Sequence, residues 1–275
     1  MSIDNQPNKS EILTDSHEAD RKKTNYFAKV GLRALDAMHL HKDQGLWERV
    51  DGKRDWGNVS EHCLVEAARV EVFADLLELP ADLKKDLTKA AAVHDFYKKA
   101  EVAKLRANGT SWEAYADAQV EAKAIMDASP LNERTIYLAT AVGHETLGEA
   151  ETLLAKPTLD PTETAWLVMH YVDDYTIDAK PAAPAVNEGG MIKNDLRRRM
   201  DRNREQAQPG AKYHNIHLSG VEHLGELTFD AQERIGLLVE ARIAQLISEA
   251  TGQEIAPTSL PEYIDHELAD KIAQS

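Results

Sequence analysis

The chain has 275 residues, of which 32 are Lys or Arg and 47 are Asp or Glu, giving a formal net charge of −15. A body this acidic repels polyanions, which excludes nonspecific binding to nucleic acid. A hydrophobic fraction of 43% excludes a disordered chain, and no apolar run approaches the roughly 18–20 residues that a membrane span needs.

Residues 1–24 are polar, mix both charges and lack the apolar segment of a signal peptide, so a solvated tail on a cytoplasmic protein is expected. The single cysteine, Cys63, forms no intrachain disulfide. Ordered structure is expected from about Tyr26, where YFAKVGLRALDAMHLH repeats its apolar residues at helical spacing. A connection with three glycines follows, and a helix opens at Asn58, with Glu61 placed to complete a capping box. That helix stops at Pro80. DLKKDLTKAAAVHDFYKKAEVAKLRA reads as one helix ending before Asn108-Gly109, and SWEAYADAQVEAKAIMDA as the next. Ser129-Pro130 opens another, which runs to about HETLGEAETLLA. Asp160, Pro161 and Glu163 combine a cap, a first-position proline and a third-position glutamate, ahead of TAWLVMHYVDDYTI.

Residues 178–190 are rich in Pro, Ala and Gly and read as a loop. A short basic helix follows in MIKNDLRRRMDRNREQAQ, then a Pro209-Gly210 loop, then the long helix FDAQERIGLLVEARIAQLISEATG and a short helix after Pro261. Strict alternation is scarce, so strands are not expected. The fold class is all-α: one helical domain over residues 25–275, with core motifs at 57–176, a peripheral insertion at 178–225 and C-terminal helices.

His62, His94 and His144 fall in these helices beside small or apolar residues, and Asp95 follows His94 directly. A fourth helix carries His170, Asp173 and Asp174. Each interval suits leaving one helix and returning on an antiparallel neighbour, so these side chains can converge inside a bundle, a recurrent way to build a metal site. Imidazole nitrogen and carboxylate oxygen suit Mn, Fe, Co, Ni or Zn. A simpler reading of His62 pairs it with Glu66 one turn on.

In VSEHCLVEAARVEVFADLLELP, KAAAVHDFYKKAE and VMHYVDDYT, over residues 57–176, the sequence resembles the HD-domain metal-dependent phosphohydrolases, named for a His…His-Asp…Asp ligand set. The resemblance implies an HD-type helical bundle holding one or two divalent ions (Mn, Fe, Co, Ni, Zn or Mg). Its implied ligands are His62, His94, Asp95 and Asp173, with Asp174 the alternative to Asp173. It implies hydrolysis of a phosphomonoester or phosphodiester in a small, nucleotide-like substrate, and no nucleic-acid polymer or membrane as partner. A homo-oligomer is compatible with it. Asp95, Lys98 and His144 are the implied catalytic residues. Lys98 matches the lysine of the HDxxK variant, which lies near the phosphate, and His144 is expected to line the site as a metal ligand or a phosphate contact. HDFYKK departs from the HDxxED pattern of alarmone hydrolases, and Lys98 stands where nucleotidase-like members often carry glutamate. Two other outcomes are compatible with the same motifs: a binding protein of HD fold without turnover, and a dinuclear-iron oxygenase.

The run Arg197-Arg198-Arg199…Arg202…Arg204 interrupts the acidic background. It reads either as a solvated helix face paired with Asp195, Asp201 and Glu205, or as a lid that brings Arg198 and Arg202 to a phosphorylated substrate. His39 and His41 read as helix-end or surface residues. His214, His217, His223 and His266 fall in loops or weak segments, and ligation is not expected of them.

Overall fold

The computed structural model describes residues 9–50, 53–54, 56–108, 110–177 and 195–275. Thirteen α-helices follow one another among these residues: α1 (Lys9–Arg33), α2 (Leu35–Asp43), α3 (Gly57–Leu76), α4 (Ala81–Val93), α5 (Lys98–Ala107), α6 (Trp112–Asp127), α7 (Glu133–Ala139), α8 (Leu147–Leu154), α9 (Pro161–Tyr175), α10 (Leu196–Glu205), α11 (His214–Leu224), α12 (Thr228–Thr251) and α13 (Leu260–Ala273). A two-residue antiparallel ladder, Arg49 opposite Arg54 and Val50 opposite Lys53, lies between α2 and α3. The fold is all-α. No described helix is long and apolar enough to cross a membrane.

Two helices form the centre. Residues 65–74 of α3 and 164–172 of α9 are buried without a break, and a helix apolar on every side has to be enclosed by others. Around them, α3 packs on α1, α4, α9 and α13, while α9 packs on α4, α7, α8, α10 and α12. Trp166, Tyr171, Tyr175 and Phe73 are fully buried in this interior, each stabilising the fold by about 1.5–3 kcal/mol. α9 starts as its sequence predicts: the Asp160 side chain accepts from the Thr162 and Glu163 amides, and the Glu163 carboxylate accepts from the Asp160 amide.

A buried arginine crosses the centre. Arg69 of α3 donates to Asp265 Oδ1 of α13 at 3.0 and 2.9 Å and to Thr176 Oγ1 at 2.8 Å. Its guanidinium lies 5.0 Å from the centre of the Tyr175 ring. A buried cation needs such partners to offset lost hydration, and here they tie α3, the end of α9 and α13 together.

Several expectations are corrected. Residues 9–24 are the first part of helix α1, with residues 17–21 exposed on it, and residues 1–8 lie outside the described residues. The helix is held down by Tyr26, Phe27 and Val30 in the core and by Lys22 Nζ, which donates to Ala273 O at 3.0 Å. The loop expected at 178–190 also lies outside the described residues. The helix that follows it, α10, is not peripheral. Leu196 and Met200 of α10 are fully buried in the main core, and α10 meets α12 so closely that a Cβ at Gly236 would stand 2.8 Å from Leu196 Cδ2. The capping box at Asn58 does not form, because α3 begins one residue earlier and Trp56 takes the cap position without a side-chain bond. The continuous helix expected from Asp82 to Ala107 breaks at residues 94–97. There the Phe96 amide donates to Val93 O and the Lys98 amide to Asp95 O, both tighter turns than an α-helix makes. His144 is likewise not in an α-helix. It opens a 3₁₀ turn, His144–Thr146, directly after Gly143 at φ +100°.

Candidate metal centre

α3 carries His62 and Glu66 one turn apart, and so on the same face. Both point toward the break after α4 and the last turn of α9. Glu66 is fully buried. Its Oε1 lies 2.8 Å from His62 Nε2, and its Oε2 lies 3.3 Å from His94 Nε2. Asp173 Oδ1 lies 3.5 Å from His62 Nε2 and 3.7 Å from His94 Nε2. One ligand atom from each of His62, Glu66, His94 and Asp173 therefore fits within 4.8 Å of all the others.

The helix break shapes this centre. With α4 ending at Val93, His94 turns inward and its Nδ1 stands 2.9 Å from Ala91 O. Donation from Nδ1 leaves Nε2 as the lone-pair nitrogen facing the carboxylates. Asp95 lies beside the group. Its Oδ2 is 4.0 Å from His94 Nε2, and its Oδ1 is 3.4 Å from Lys98 Nζ. Asp95 thus stands at the rim, and the four-residue group is completed by Glu66 in its place.

Both Glu66 oxygens and His94 Nε2 are buried, and no hydrogen-bond partner from outside the four-residue group reaches them. Leaving such atoms unpaired is unfavourable. Two imidazoles and two carboxylates make a donor set suited to a divalent transition metal, so the residues fit such an ion. Without one, protons hold the charges together. Burial disfavours the charged form of His62, but Glu66 and Asp173 outweigh it and push it up to about 9. His94 is raised in the same way against its burial, chiefly by Glu66. Asp173 lies well below the usual carboxylate range, because bonds from His62 and His94 overcome its burial.

Two recesses adjoin the group. The outer one, of about 320 Å³, is lined by His62 and Asp95, by the cations Lys98, Arg106, Arg199, Arg202 and Lys212, and by Trp56 and Tyr213. The inner one, of about 70 Å³, is lined by Asp173, Lys98, Arg199, His144, Tyr115 and Gln232 among others. Arg199 is held between them, donating through Nη1 to Thr176 O at 2.7 Å, with Nη2 3.8 Å from Asp173 Oδ1. Lys98 also lies 3.0 Å from Glu101 Oε1, and the neighbouring carboxylates keep its ammonium charged despite burial.

Of the four ligands implied by the resemblance, His62, His94 and Asp173 converge and Asp95 borders them. Asp174 turns away into the core, where Gln232 Nε2 donates to its Oδ1 at 2.5 Å. His170, stacked on Trp166 with ring centres 5.4 Å apart, faces Asp174 at 3.8 Å and does not join the group. His144 lines the inner recess but is not one of the four. It packs among Trp112, Tyr115 and Phe229, and burial, with Lys98 nearby, pushes it down to about 4, so it stays neutral at pH 7. Arg202 lines the outer recess; Arg198 is exposed and does not. His41 is not a surface residue. It is fully buried, with Nε2 2.7 Å from Ala92 O and Nδ1 3.0 Å from Ser60 Oγ.

The sequence does not single out Glu66, Arg199, or the recess residues Arg106, Lys212 and Tyr213. Glu66 reads there only as a hydrogen-bond partner of His62, although its i+4 spacing is itself a ligand-pair signal. Arg199 carries no local mark that separates it from the four other arginines of its run. No protein-family model, curated protein or solved structure matches the chain.

Proposed function

We propose that the protein is a divalent-metal-dependent hydrolase of phosphoesters in small molecules. One juxtaposition carries this reading: the buried group His62, Glu66, His94 and Asp173 borders a recess with five cationic side chains, in a chain of net charge −15. The long-range field of the protein opposes an anionic substrate, so attraction has to be local. The resemblance to the HD-domain phosphohydrolases supports the same chemistry.

His62, Glu66, His94 and Asp173 would hold the ion. When bound, a divalent ion in such a site supplies Lewis-acid polarisation of a phosphoryl oxygen and makes water more acidic. Asp95, at the rim, orients the attacking water and accepts its proton. Its carboxyl is held below the usual range, with Lys98 and His94 overcoming its burial, so it is in the basic form at pH 7. Lys98 and Arg199 bind the phosphoryl oxygens and offset the charge that grows on them during transfer. His144 offers a neutral nitrogen from the inner recess, suited to a hydrogen bond with a phosphate oxygen or a leaving group. Trp56 and Tyr213 give the outer recess apolar wall for the remainder of a nucleotide-like substrate. A cytoplasmic location accords with a substrate of that class.

The test joins metal analysis to a screen of phosphomonoesters and phosphodiesters, run on wild type and Asp95→Asn. About one transition-metal ion per chain and turnover of at least one substrate are expected, with kcat lowered at least 100-fold in the variant, the scale of losing a general base. A metal-loaded protein inert to the whole panel, or an unimpaired variant, overturns the reading.

A further inference from the structure

A second cavity, of about 620 Å³, lies away from the metal centre where α1, α3, α4 and α13 meet. Asp75, which lines it, sits roughly 20 Å along α3 from His62 at 1.5 Å per residue. We propose that this cavity is a separate anion site, taking a small oxyanion with two or more negative charges, of which pyrophosphate is the simplest.

Its wall inverts the charge balance of the chain. Lys29 and Arg33 come from α1, Lys84 and Lys85 from α4 and Lys271 from α13, against two acidic side chains, Glu71 and Asp75. The whole sequence carries 47 acidic residues to 32 basic ones. The pairing inside the cavity leaves positive charge over. Arg33 grips Glu71 with both ends of its fork, at 2.7 and 2.6 Å. Lys84 Nζ and Lys271 Nζ both close on Asp75, each at 2.5 Å, so two ammonium groups from different helices share one carboxylate. Lys29 and Lys85 form no ion pair with any described residue. Five cationic side chains therefore stand against two carboxylates in the lining of one concave surface, with Asp36, paired to Lys89, acting on Lys85 from outside it.

Like charges gathered on one concave surface repel one another, and a bound anion relieves that repulsion, most strongly at low ionic strength. The arrangement is also preorganised. The cations stand on three packed helices, and the Arg33–Glu71 fork fixes α1 against α3. Thr88 and Gln274 add neutral hydrogen-bonding groups to the lining. A single bound multivalent oxyanion would neutralise the surplus and cross-link the first and last helices through α4. The inference is independent of the hydrolase reading, since no residue of the metal centre takes part.

The experiment is a calorimetric titration of chelator-treated, full-length protein with sodium pyrophosphate at low ionic strength, with amide NMR shifts to locate the bound anion. Arg202→Ala/Lys212→Ala serves as the background, to weaken binding of the same probe in the metal-side recess. In that background about one equivalent is expected to bind and to shift amides of α1, α4 and α13. Adding Lys29→Glu/Lys85→Glu makes the lining net negative and is expected to weaken this binding at least tenfold, with Lys29→Gln/Lys85→Gln in between. Both pairs of positions are exposed, and unchanged circular dichroism shows that the variants fold. No binding in the background protein, shifts confined to the metal side, or equal affinity after charge reversal overturns the proposal. None of these outcomes touches the hydrolase reading, which is scored on metal content and turnover.

Discussion

A single buried carboxylate spans both histidines of the candidate metal centre: Glu66 Oε1 is 2.8 Å from His62 Nε2, and Glu66 Oε2 is 3.3 Å from His94 Nε2. Replacing it with Gln keeps the volume and removes the charge. Glu66→Gln is expected to lower metal affinity about 10- to 100-fold, the range for losing a contributing group at a metal site. Competition against a chromophoric chelator measures this directly. Unchanged affinity would show that Glu66 serves only as a hydrogen-bond partner of His62.

The two adjacent aspartates of α9 separate by experiment. Asp173 belongs to the four-residue group, while Asp174 is enclosed in the core and accepts from Gln232. Burial, then the neighbouring Asp173 charge, raises Asp174 well above the usual carboxylate range, toward the neutral acid. Asp173→Asn is expected to lose metal at least tenfold. Asp174→Asn exchanges one neutral hydrogen-bonding group for another and is expected to retain full occupancy, with stability changed by less than about 1 kcal/mol. Metal analysis and denaturant titration of the two variants decide it.

Stability of the metal-free protein should depend on pH with a definite sign. Burial opposes charge on His62, but Glu66 and Asp173 prevail and raise it from 6.5 to about 9. The folded state therefore keeps a proton that the unfolded chain releases above about pH 6.5. This stabilisation is full below pH 6.5 and is lost as pH rises through about 9. In the presence of chelator, Tm is expected to fall by on the order of 5 °C across that window. Metal binding needs the deprotonated imidazoles, so the gain in Tm on adding metal is expected to grow over the same interval. Thermal melts at several pH values, with and without metal, show both trends.

Arg69 and Asp265 form the buried pair that ties α3 to α13. Arg69→Met is expected to destabilise the fold by about 3–5 kcal/mol, because it leaves the Asp265 carboxylate without its cation in an apolar surrounding. Arg69→Met/Asp265→Leu removes that uncompensated charge and is expected to recover most of the loss. Urea unfolding of the three proteins gives the comparison.

Within the arginine run, position rather than number of charges sets the outcome. Arg199→Ala is expected to lower kcat/KM about 100-fold on a hydrolysed phosphoester, the scale of one oxyanion-stabilising group. Arg198→Ala, at an exposed position outside both recesses, is expected to leave kcat/KM within twofold. Steady-state kinetics on whichever substrate the screen identifies makes the test.

The helical class was legible from apolar spacing, and the Asp160 cap with Pro161 and Glu163 marked the start of α9 to the residue. Those signals act through neighbours along the chain, which is why they can be read there. The same logic misjudged residues 82–107. Most residues from Asp82 to Val93 and from Lys98 to Ala107 favour helix, and nothing local announces that the chain turns at 94–97. The turn is stabilised from outside, by burial of Phe96 and by the inward placement of His94 against α3 and α9. The part of α1 before Tyr26 is not legible in the sequence for a related reason. Its early residues are polar and look solvated, and its docking against α3 and α13 appears only once those helices are assembled.

By itself, then, the sequence determined that this is a helical protein with a concentration of His and Asp at intervals suited to convergence, because helix periodicity and residue chemistry are local properties. Only the tertiary structure decided which carboxylates meet the imidazoles. Asp173 points in and Asp174 points away because adjacent residues of a helix lie about 100° apart. Asp95 stands at the rim and Glu66 at the centre because α4 ends at Val93, which frees His94 to turn toward the face of α3 where Glu66 already stands.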